Sequence, residues 1–182
     1  NNLKKIMNIK TKRPGNLIMV IGKTFGHLNQ SAFLQENFSI CDGPPPEINL
    51  INEKNNGLAI LELIKENFIL SAHDISSGGI LLSLTEMSMA SKLGLKIYKP
   101  KKLINPLEYF FGEDQGRYLI EIEKNNLNKI NNFLKKNNIF GEVVAEVQND
   151  TFEIEKTFSF NIQEFCNYNN QWYYKYNAIG KK

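Results

Sequence analysis

The stretch of sequence that decides the fold is Ser71-Ala72-His73-Asp74-Ile75-Ser76-Ser77-Gly78-Gly79-Ile80-Leu81-Leu82. The apolar run from Phe68 to Ala72 predicts a buried strand, and the residues from Ile80 to Lys92 predict a helix. Two serines and two glycines between them predict a tight turn. Backbone N–H groups at a helix start are unpaired and favour an anion, and glycine lets a ligand come close. The turn therefore indicates a phosphate site, beside the simpler interpretation of a turn with a helix cap.

Strands and helices alternate along the rest of the chain. Apolar or alternating runs predict strands at 16–21, 94–98, 118–122, 140–147 and 151–154. Helical spacing predicts helices at 26–38, 52–67, 104–110 and 126–137, and the aromatic tail 165–176 also has helical character. The interleaving is typical of a layered α/β or α+β domain. We expect a three-layer α+β domain in which helices cover a mixed β-sheet.

The composition excludes several classes of function. A chain of 182 residues fits one domain, and its net charge of +3 comes from scattered basic residues, which gives nucleic-acid binding little support. We find no signal peptide and no run of about 18 apolar residues, so we expect a cytoplasmic protein with no membrane partner. Cys41 and Cys166 lack metal-ligand spacing, which favours unpaired thiols in a reducing compartment.

Residues 1–14 differ in composition from the rest of the chain. Residues 1–14 are polar and basic, and they predict a lead-in from an upstream N-domain. We expect residues 15–182 to form a single domain.

The turn that follows the predicted strand 68–72 supplies one set of candidate site residues. The candidates for binding a phosphate or nucleotide are Asp74, Ser76, Ser77, Gly78 and Gly79. His73 and Asp74 are adjacent on an extended segment, so their side chains should point to opposite faces and form no relay with each other. Asp74 would then order the turn or cap the helix.

A second set lies in the loop Phe111-Gly112-Glu113-Asp114-Gln115-Gly116-Arg117. Glu113, Asp114, Gln115 and Arg117 could bind a polar ligand, because carboxylates and an amide select hydroxyl and amide donors. The alternative is a solvated loop whose arginine pairs locally. The chain has twenty lysines and two arginines, which indicates that Arg117 serves where a planar fork is needed. No Ser/His/Asp triad or zinc motif is present, so we assign no catalytic residue and no metal ligand.

Three patterns occur in order and carry a family resemblance. They are Gly22-x-x-x-Gly26-His27-Leu28-x-Gln30-Ser31, then Ala72-His73-Asp74-Ile75-Ser76-x-Gly78-Gly79, then Phe111-Gly112-Glu113-Asp114-Gln115-Gly116-Arg117-Tyr118. Together they resemble the C-terminal domain of phosphoribosylformylglycinamidine synthase, in the synthetase subunit of the small bacterial type. The second pattern alone is shared across the aminoimidazole ribonucleotide synthetase superfamily.

The resemblance implies a function for the whole enzyme. Such synthetases use ATP and Mg²⁺ to convert a formylglycinamide ribonucleotide to its amidine with ammonia from glutamine. The resemblance places ATP and Mg²⁺ mainly in N-domains that this chain lacks. It makes the chain the second C-domain, which faces a pseudo-symmetric site and is inactive alone. The implied partners are the rest of the synthetase chain, a glutaminase subunit and a small bridging subunit.

Two positions depart from the family pattern. Asp114 stands where the first C-domain of the family has serine in a substrate-contacting Glu-Ser-Gln loop, and it adds a negative charge. Ser77 stands where many relatives have aspartate. Two alternatives stay open: a C-domain from another superfamily ATPase, of the aminoimidazole ribonucleotide or selenophosphate synthetase type, and a docking module without a ligand.

Overall fold

The computed structural model describes residues 5–100 and 104–179, without the side chain of residue 179. In this part of the chain there are seven strands and six α-helices. The strands are β1 (Leu17–Ile21), β2 (Ile69–Ile75), β3 (Leu95–Ile97), β4 (Arg117–Ile122), β5 (Gly141–Val147), β6 (Thr151–Ile154) and β7 (Phe158–Asn161). The helices are α1 (Ala32–Phe38), α2 (Leu50–Lys65), α3 (Gly79–Ser91), α4 (Pro106–Phe111), α5 (Leu127–Lys136) and α6 (Ile162–Ile179).

The strands form one sheet in the order β2-β4-β1-β5-β3-β6-β7. Neighbours pair antiparallel except β3 and β6, which are parallel, so the sheet is mixed. β1 lies between β4 and β5, and all five of its residues are buried. A strand buried on both faces carries a continuous apolar run, which is why Leu17-Ile18-Met19-Val20-Ile21 shows no alternation.

Successive residues of β1 point to two different cores. Ile18 and Val20 belong to the core that also holds buried residues of α3, α4 and α6. Leu17, Met19 and Ile21 belong to the core that holds buried residues of α2 and α5. Helices therefore cover both faces of the sheet, and the predicted three-layer α+β domain with a mixed sheet is confirmed.

Several element boundaries differ from the sequence prediction. β2 continues past Ala72 to Ile75, because its end pairs with the first residues of β4. α1 begins only at Ala32, where the Ser31 side chain accepts the N–H of Leu34 and caps the helix. β7 was not predicted: its residues Phe158–Asn161 alternate apolar and polar, but the run is only four residues long and Phe158 is exposed.

Part of the predicted lead-in lies against the sheet. Thr11 is buried and its hydroxyl is 2.6 Å from that of Ser91, while the carbonyl of Asn8 accepts the N–H of Ala72. Residues 1–4 of the lead-in, and residues 101–103 and 180–182 of the predicted domain, lie outside the described residues. The boundary after residue 14 stays a prediction.

A buried carboxylate fixes this entering segment. Glu121 of β4 is fully buried, and its two oxygens accept the backbone N–H of Lys12 at 2.8 and 3.0 Å. The same carboxylate accepts the Asn16 amide at 2.7 Å and the Ser71 hydroxyl at 3.1 Å. A buried charge is stable when hydrogen bonds compensate it, so Glu121 links the entering segment to β2 and β4.

Two further sequence expectations concern thiols and membranes. Among the described residues Cys41 is an exposed free thiol and Cys166 a buried one. None of the described helices combines the length and the apolar character that crossing a bilayer requires.

Candidate functional site

The loop between α4 and β4 is the centre of the candidate site. It begins at Gly112, whose N–H is bound to the carbonyl of Glu108 and ends α4. It ends at Arg117, the first residue of β4. Between them Glu113 is half-buried, Asp114 is buried and Gln115 is exposed.

Glu113 joins two of the three sequence patterns. Its Oε1 atom accepts the N–H of Gly78 at 2.8 Å and the N–H of Ala32, the first residue of α1, at 2.8 Å. Its own N–H donates to the carbonyl of His27 at 2.9 Å. Charged acceptors make stronger hydrogen bonds than neutral ones, so this carboxylate holds α1 beside the start of α3.

The carboxylate of Asp114 binds backbone N–H groups of the first sequence pattern. Its Oδ2 accepts the N–H groups of Phe25 and Gly26 at 2.9 and 3.0 Å, and its Oδ1 accepts that of His27 at 3.3 Å. One guanidinium nitrogen of Arg117 lies 3.7 Å from Oδ2. The negative charge that departs from the family pattern is therefore compensated within the chain.

Arg117 is almost fully buried, with 1% of its surface exposed. Its Nε donates to the carbonyl of Asp114 at 3.0 Å, one terminal nitrogen to the Thr24 hydroxyl at 3.1 Å, and the other to the carbonyl of Gly112 at 2.6 Å. Burial lowers the pKa of the guanidinium, and Asp114, Tyr109 and Glu113 oppose that shift. The side chain uses its planar fork, as expected, on acceptors of its own chain.

We call the place where the three patterns meet the motif junction, made of residues 24–32, 76–79 and 112–117. Its glycines permit the close approach of backbones. A Cβ atom on Gly79 would lie 2.7 Å from the carbonyl oxygens of Phe110 and Gly112, and Gly79 has a φ of +66°. A Cβ atom on Gly112 would lie 2.8 Å from the Cα of Gly26. These positions exclude any larger residue without a shift of backbone.

Two backbone N–H groups of the glycine turn are already hydrogen-bonded within the chain. Ser76 and Ser77 are exposed, whereas Gly78 and Gly79 are buried. The N–H of Gly79 donates to the carbonyl of Ser76 at 3.1 Å, and that of Gly78 is bound by Glu113. The Gly78 N–H does not fit a phosphate while Glu113 holds it. Phosphate binding at 74–79 stays a prediction, and the exposed serine hydroxyls are the groups open to it.

His73 and Asp74 are closer than the sequence predicts. His73 Nδ1 lies 3.3 Å from Asp74 Oδ1, and His73 Nε2 lies 2.9 Å from Glu86 Oε2 on α3. The prediction that the two adjacent side chains stay apart is wrong here, since the His73 ring lies between the carboxylates of Asp74 and Glu86 and contacts both. Asp74 is about 70% exposed in its side chain, so the contact is made in solvent.

A broad open groove of about 1140 Å³ begins at the motif junction. It runs between the loop after β1, the start of α2 and the end of α5, and Gln115 and Asp114 line its junction end. Its wall is rich in amides, from Asn29, Asn49, Asn52, Asn56, Asn131 and Asn138. No sequence pattern indicates this groove, because asparagine is frequent along the whole chain.

The described residues do not form a magnesium or zinc site. No group of three or more His, Cys, Asp or Glu side chains lies close enough together in this part of the chain to bind a metal ion.

The fold and the junction define a domain of the aminoimidazole ribonucleotide synthetase type. The chain belongs to the family described as "AIR synthase related protein, C-terminal domain", whose model matches residues 13–156. The chain is 42% identical over 171 residues to the phosphoribosylformylglycinamidine synthase subunit PurL of Pelagibacter ubique, and 33% identical over 172 residues to that of Bartonella bacilliformis.

Each of these matches covers 94% of the chain and 23% of the relative, so the chain spans about a quarter of their length. Solved structures share the fold. PurLQS from Thermotoga maritima has a TM-score of 0.70 and 23% identity, with 91% of this chain and 28% of that chain covered. T. maritima PurL complexed with FGAR has a TM-score of 0.76 and 20% identity, and the match covers 90% of this chain and 30% of that chain. T. maritima PurL complexed with ATP has a TM-score of 0.70 and 21% identity, and the match covers 88% of this chain and 27% of that chain. The curated relatives do not favour the alternative of another superfamily ATPase.

Proposed function

We propose that this chain works as the C-terminal domain of phosphoribosylformylglycinamidine synthase, an ATP-dependent ligase of purine biosynthesis in the cytoplasm. One observation carries the proposal: the three patterns that identify the family meet at one junction, held by Glu113, Asp114 and Arg117. These bonds join residues 35 to 89 positions apart in sequence, which is expected of one working part of a fold rather than of three unrelated turns.

The reaction is assigned to the whole synthetase. The γ-phosphoryl group of ATP moves to the oxygen of the formylglycinamide amide, which leaves ADP. Ammonia derived from glutamine attacks the amide carbon, the phosphorylated oxygen departs as phosphate, and the amidine remains. We place ATP and Mg²⁺ mainly in the N-domains, as the family resemblance implies.

In this proposal the chain holds its own helices in place beside the groove and supplies no reacting group. The carboxylates of Glu113 and Asp114 and the guanidinium of Arg117 are bound to the backbone of their own chain. They fix the relative positions of α1, α3 and α4, and so the wall of the groove beside them. Gln115 is the loop side chain that remains exposed towards a polar ligand. We therefore expect the isolated chain to be inactive.

The same internal bonds favour a second candidate, a docking module that binds no ligand. Calorimetry of the chain with ADP and with the ribonucleotide substrate separates the two candidates. Heat of binding that Gln115→Ala reduces supports a ligand site in the groove. The proposed partners in either case are the remaining synthetase domains, a glutaminase subunit and a small bridging subunit, in line with the assembly named PurLQS.

The test of the proposed function is a chimera. The matched C-terminal part of Pelagibacter ubique PurL is replaced by this chain, and amidine formation is assayed with ATP and ammonia. We expect activity within about tenfold of the parent, since 42% identity preserves the fold. A folded chimera without activity, beside an active parent, would contradict the proposal. Ammonia-dependent ATP hydrolysis by the isolated chain would contradict its assignment as a domain without its own chemistry.

A further inference from the structure

Most of α6 extends beyond the body of the domain. Its first turn is packed: Ile162 and Cys166 are buried, and the ring of Phe165 lies 5.0 Å from that of Phe160. From Asn167 to Ala178 every residue is exposed. Within this exposed part lie five large aromatic side chains, Tyr168, Trp172, Tyr173, Tyr174 and Tyr176, each between 57% and 74% exposed.

Three of these side chains form one line, which we call the aromatic stripe: Tyr168, Trp172 and Tyr176. They are spaced by four residues, so they share one side of a helix with 3.6 residues per turn. The rings of Trp172 and Tyr176 lie 6.1 Å apart. Phe165 precedes the stripe on the same side, so the stripe continues the side by which α6 packs on its own domain. Tyr174 points to the opposite side by the same periodicity.

The exposed area is that of a protein interface. An aromatic side chain buries about 150–250 Å², so the stripe with Tyr173 offers about 500 Å². A standard interface buries about 800 Å² on each partner, and interfaces between domains of one chain start at about 600 Å² in total. The stripe therefore suffices as the centre of an interface.

The charge of this segment selects the chemistry of the partner. Lys175 is the one charged residue between positions 167 and 178, and its ammonium lies 5.7 Å from the ring of Tyr168. Nucleic acids and anionic membranes are bound by several cations, which this segment lacks. An apolar, uncharged protein surface fits it best.

We propose that the aromatic stripe of α6 binds an apolar face of another domain of the longer synthetase. The proposal rests on the proposed function and names the contact by which this domain joins the rest. The relatives are about four times as long as the match, so most of the synthetase surface belongs to other domains. The competing occupant is a second copy of this chain, which the experiments below separate.

Hydroxyl-radical footprinting read by tandem mass spectrometry tests the contact, residue by residue. In the chimera we expect oxidation of Tyr168, Trp172 and Tyr176 to fall at least about fivefold below that in the isolated chain, because interfaces exclude water from their centre. Tyr174 is the matched control inside the same helix and should change less than about twofold. A stripe that stays as reactive in the chimera as in the isolated chain overturns the proposal.

Sedimentation velocity of the isolated chain tests whether the aromatic stripe binds a second copy of the chain. We expect a monomer with a reactive stripe. A dimer in which Tyr168, Trp172 and Tyr176 are protected assigns the stripe to self-association and overturns the proposal. In the chimera, the double variant Tyr168→Ala/Tyr176→Ala should lower the melting temperature, and Tyr174→Ala should not. Equal melting temperatures for both variants also count against it.

Failure of the proposed function remains distinguishable. Amidine formation tests the function, and footprinting tests the contact: an inactive chimera with a protected stripe refutes the function alone, and an active chimera with a reactive stripe refutes the contact alone. If the chimera does not fold, residues 162–178 are grafted onto intact Pelagibacter ubique PurL, and the same three residues are read against Tyr174.

Discussion

Arg117 is surrounded by acceptors from its own chain, and this makes it the residue whose loss should cost most. Arg117→Met would leave the Asp114 carboxylate without its cation and two carbonyls without a donor. Breaking a buried charge pair by removing one partner costs about 3–5 kcal/mol. We expect the free energy of unfolding in urea to fall by that amount. Arg117→Lys should recover only part of it, because an ammonium cannot reach three acceptors that are arranged around a planar fork.

The chain contains its own control for this prediction. Arg13, the other arginine, is paired with Glu123, but its side chain is 61% exposed. Exposed pairs contribute about 0–1 kcal/mol, so Arg13→Met should change stability by less than about 1 kcal/mol. Equal losses for the two methionine variants would show that the buried fork has no special role.

Glu113 should control the protection of two backbone amides. Glu113→Ala removes the acceptor of the Gly78 and Ala32 N–H groups, and leaving such groups unpaired costs about 1–3 kcal/mol. Hydrogen exchange followed by NMR should show both amides exchanging faster in this variant. Glu113→Gln keeps one acceptor oxygen and should protect both amides better than alanine does. Glu36→Ala, on the exposed side of α1, is the control, and unchanged exchange in Glu113→Ala would contradict the assignment.

At the scale of elements, the contact between α3 and α4 depends on a glycine. In Gly79→Ala the added methyl group would meet two carbonyl oxygens at 2.7 Å, at a φ that L residues rarely adopt. Strained backbone conformations alone cost about 1–3 kcal/mol. We expect urea unfolding to show a loss of at least about 2 kcal/mol.

The matched control has the opposite sign. Gly57 lies inside α2, and a Cβ atom there meets only the Tyr118 hydroxyl at an ordinary 3.5 Å. Alanine is the better helix former by about 1 kcal/mol, so Gly57→Ala should stabilise the chain. A loss in both variants would show that general intolerance of α-helical substitution, rather than the close approach at Gly79, explains the result.

The elements themselves followed from the sequence where one physical signal dominated. Leu17–Ile21 is apolar throughout because both of its faces are buried, and α5 shows a clear apolar side. β7 was missed because its alternation of phenylalanine with polar residues covers only four residues, and pairing with β6 is what makes it a strand. The end of β2 was short in the prediction for the same reason, because pairing with β4 sets it.

The bonds made by the candidate site residues could not be predicted, and their role in binding a ligand stays a prediction. Sequence patterns indicated Glu113, Asp114 and Arg117, and the rarity of arginine indicated a fork. That these side chains bind the chain's own backbone depends on three segments meeting in space, which no local signal contains. The amide-rich groove was missed because a residue type that is common everywhere marks no particular place.

At the scale of the whole molecule, one buried tyrosine and two half-buried ones limit stability in alkali. Burial, reinforced by Glu142, raises the pKa of Tyr109 above its ordinary value, and burial also raises the pKa of Tyr98 and Tyr118. The folded chain therefore keeps protons that the unfolded chain releases near pH 10. Their contribution is complete below about pH 10 and is lost as the pH rises through the folded pKa.

Tyr109→Phe removes the largest of these contributions. The urea midpoint of the variant should fall less between pH 8 and pH 11 than that of the parent chain. Tyr174→Phe changes a tyrosine that is 74% exposed, so it should follow the parent. An identical fall in parent and Tyr109→Phe would contradict the assignment to Tyr109.

The position of β1 has a consequence for how the molecule is made. It is the first strand among the described residues, yet its neighbours in the sheet are β4 and β5. About 100 residues separate it from β4, so at about 5–20 residues per second a ribosome needs roughly 5–20 s to deliver the first partner. During that time Leu17–Ile21 is an unpaired apolar segment, and pairing over so long a separation is slow. The strand that is most completely enclosed in the folded domain is thus the one that stays unpaired longest during synthesis.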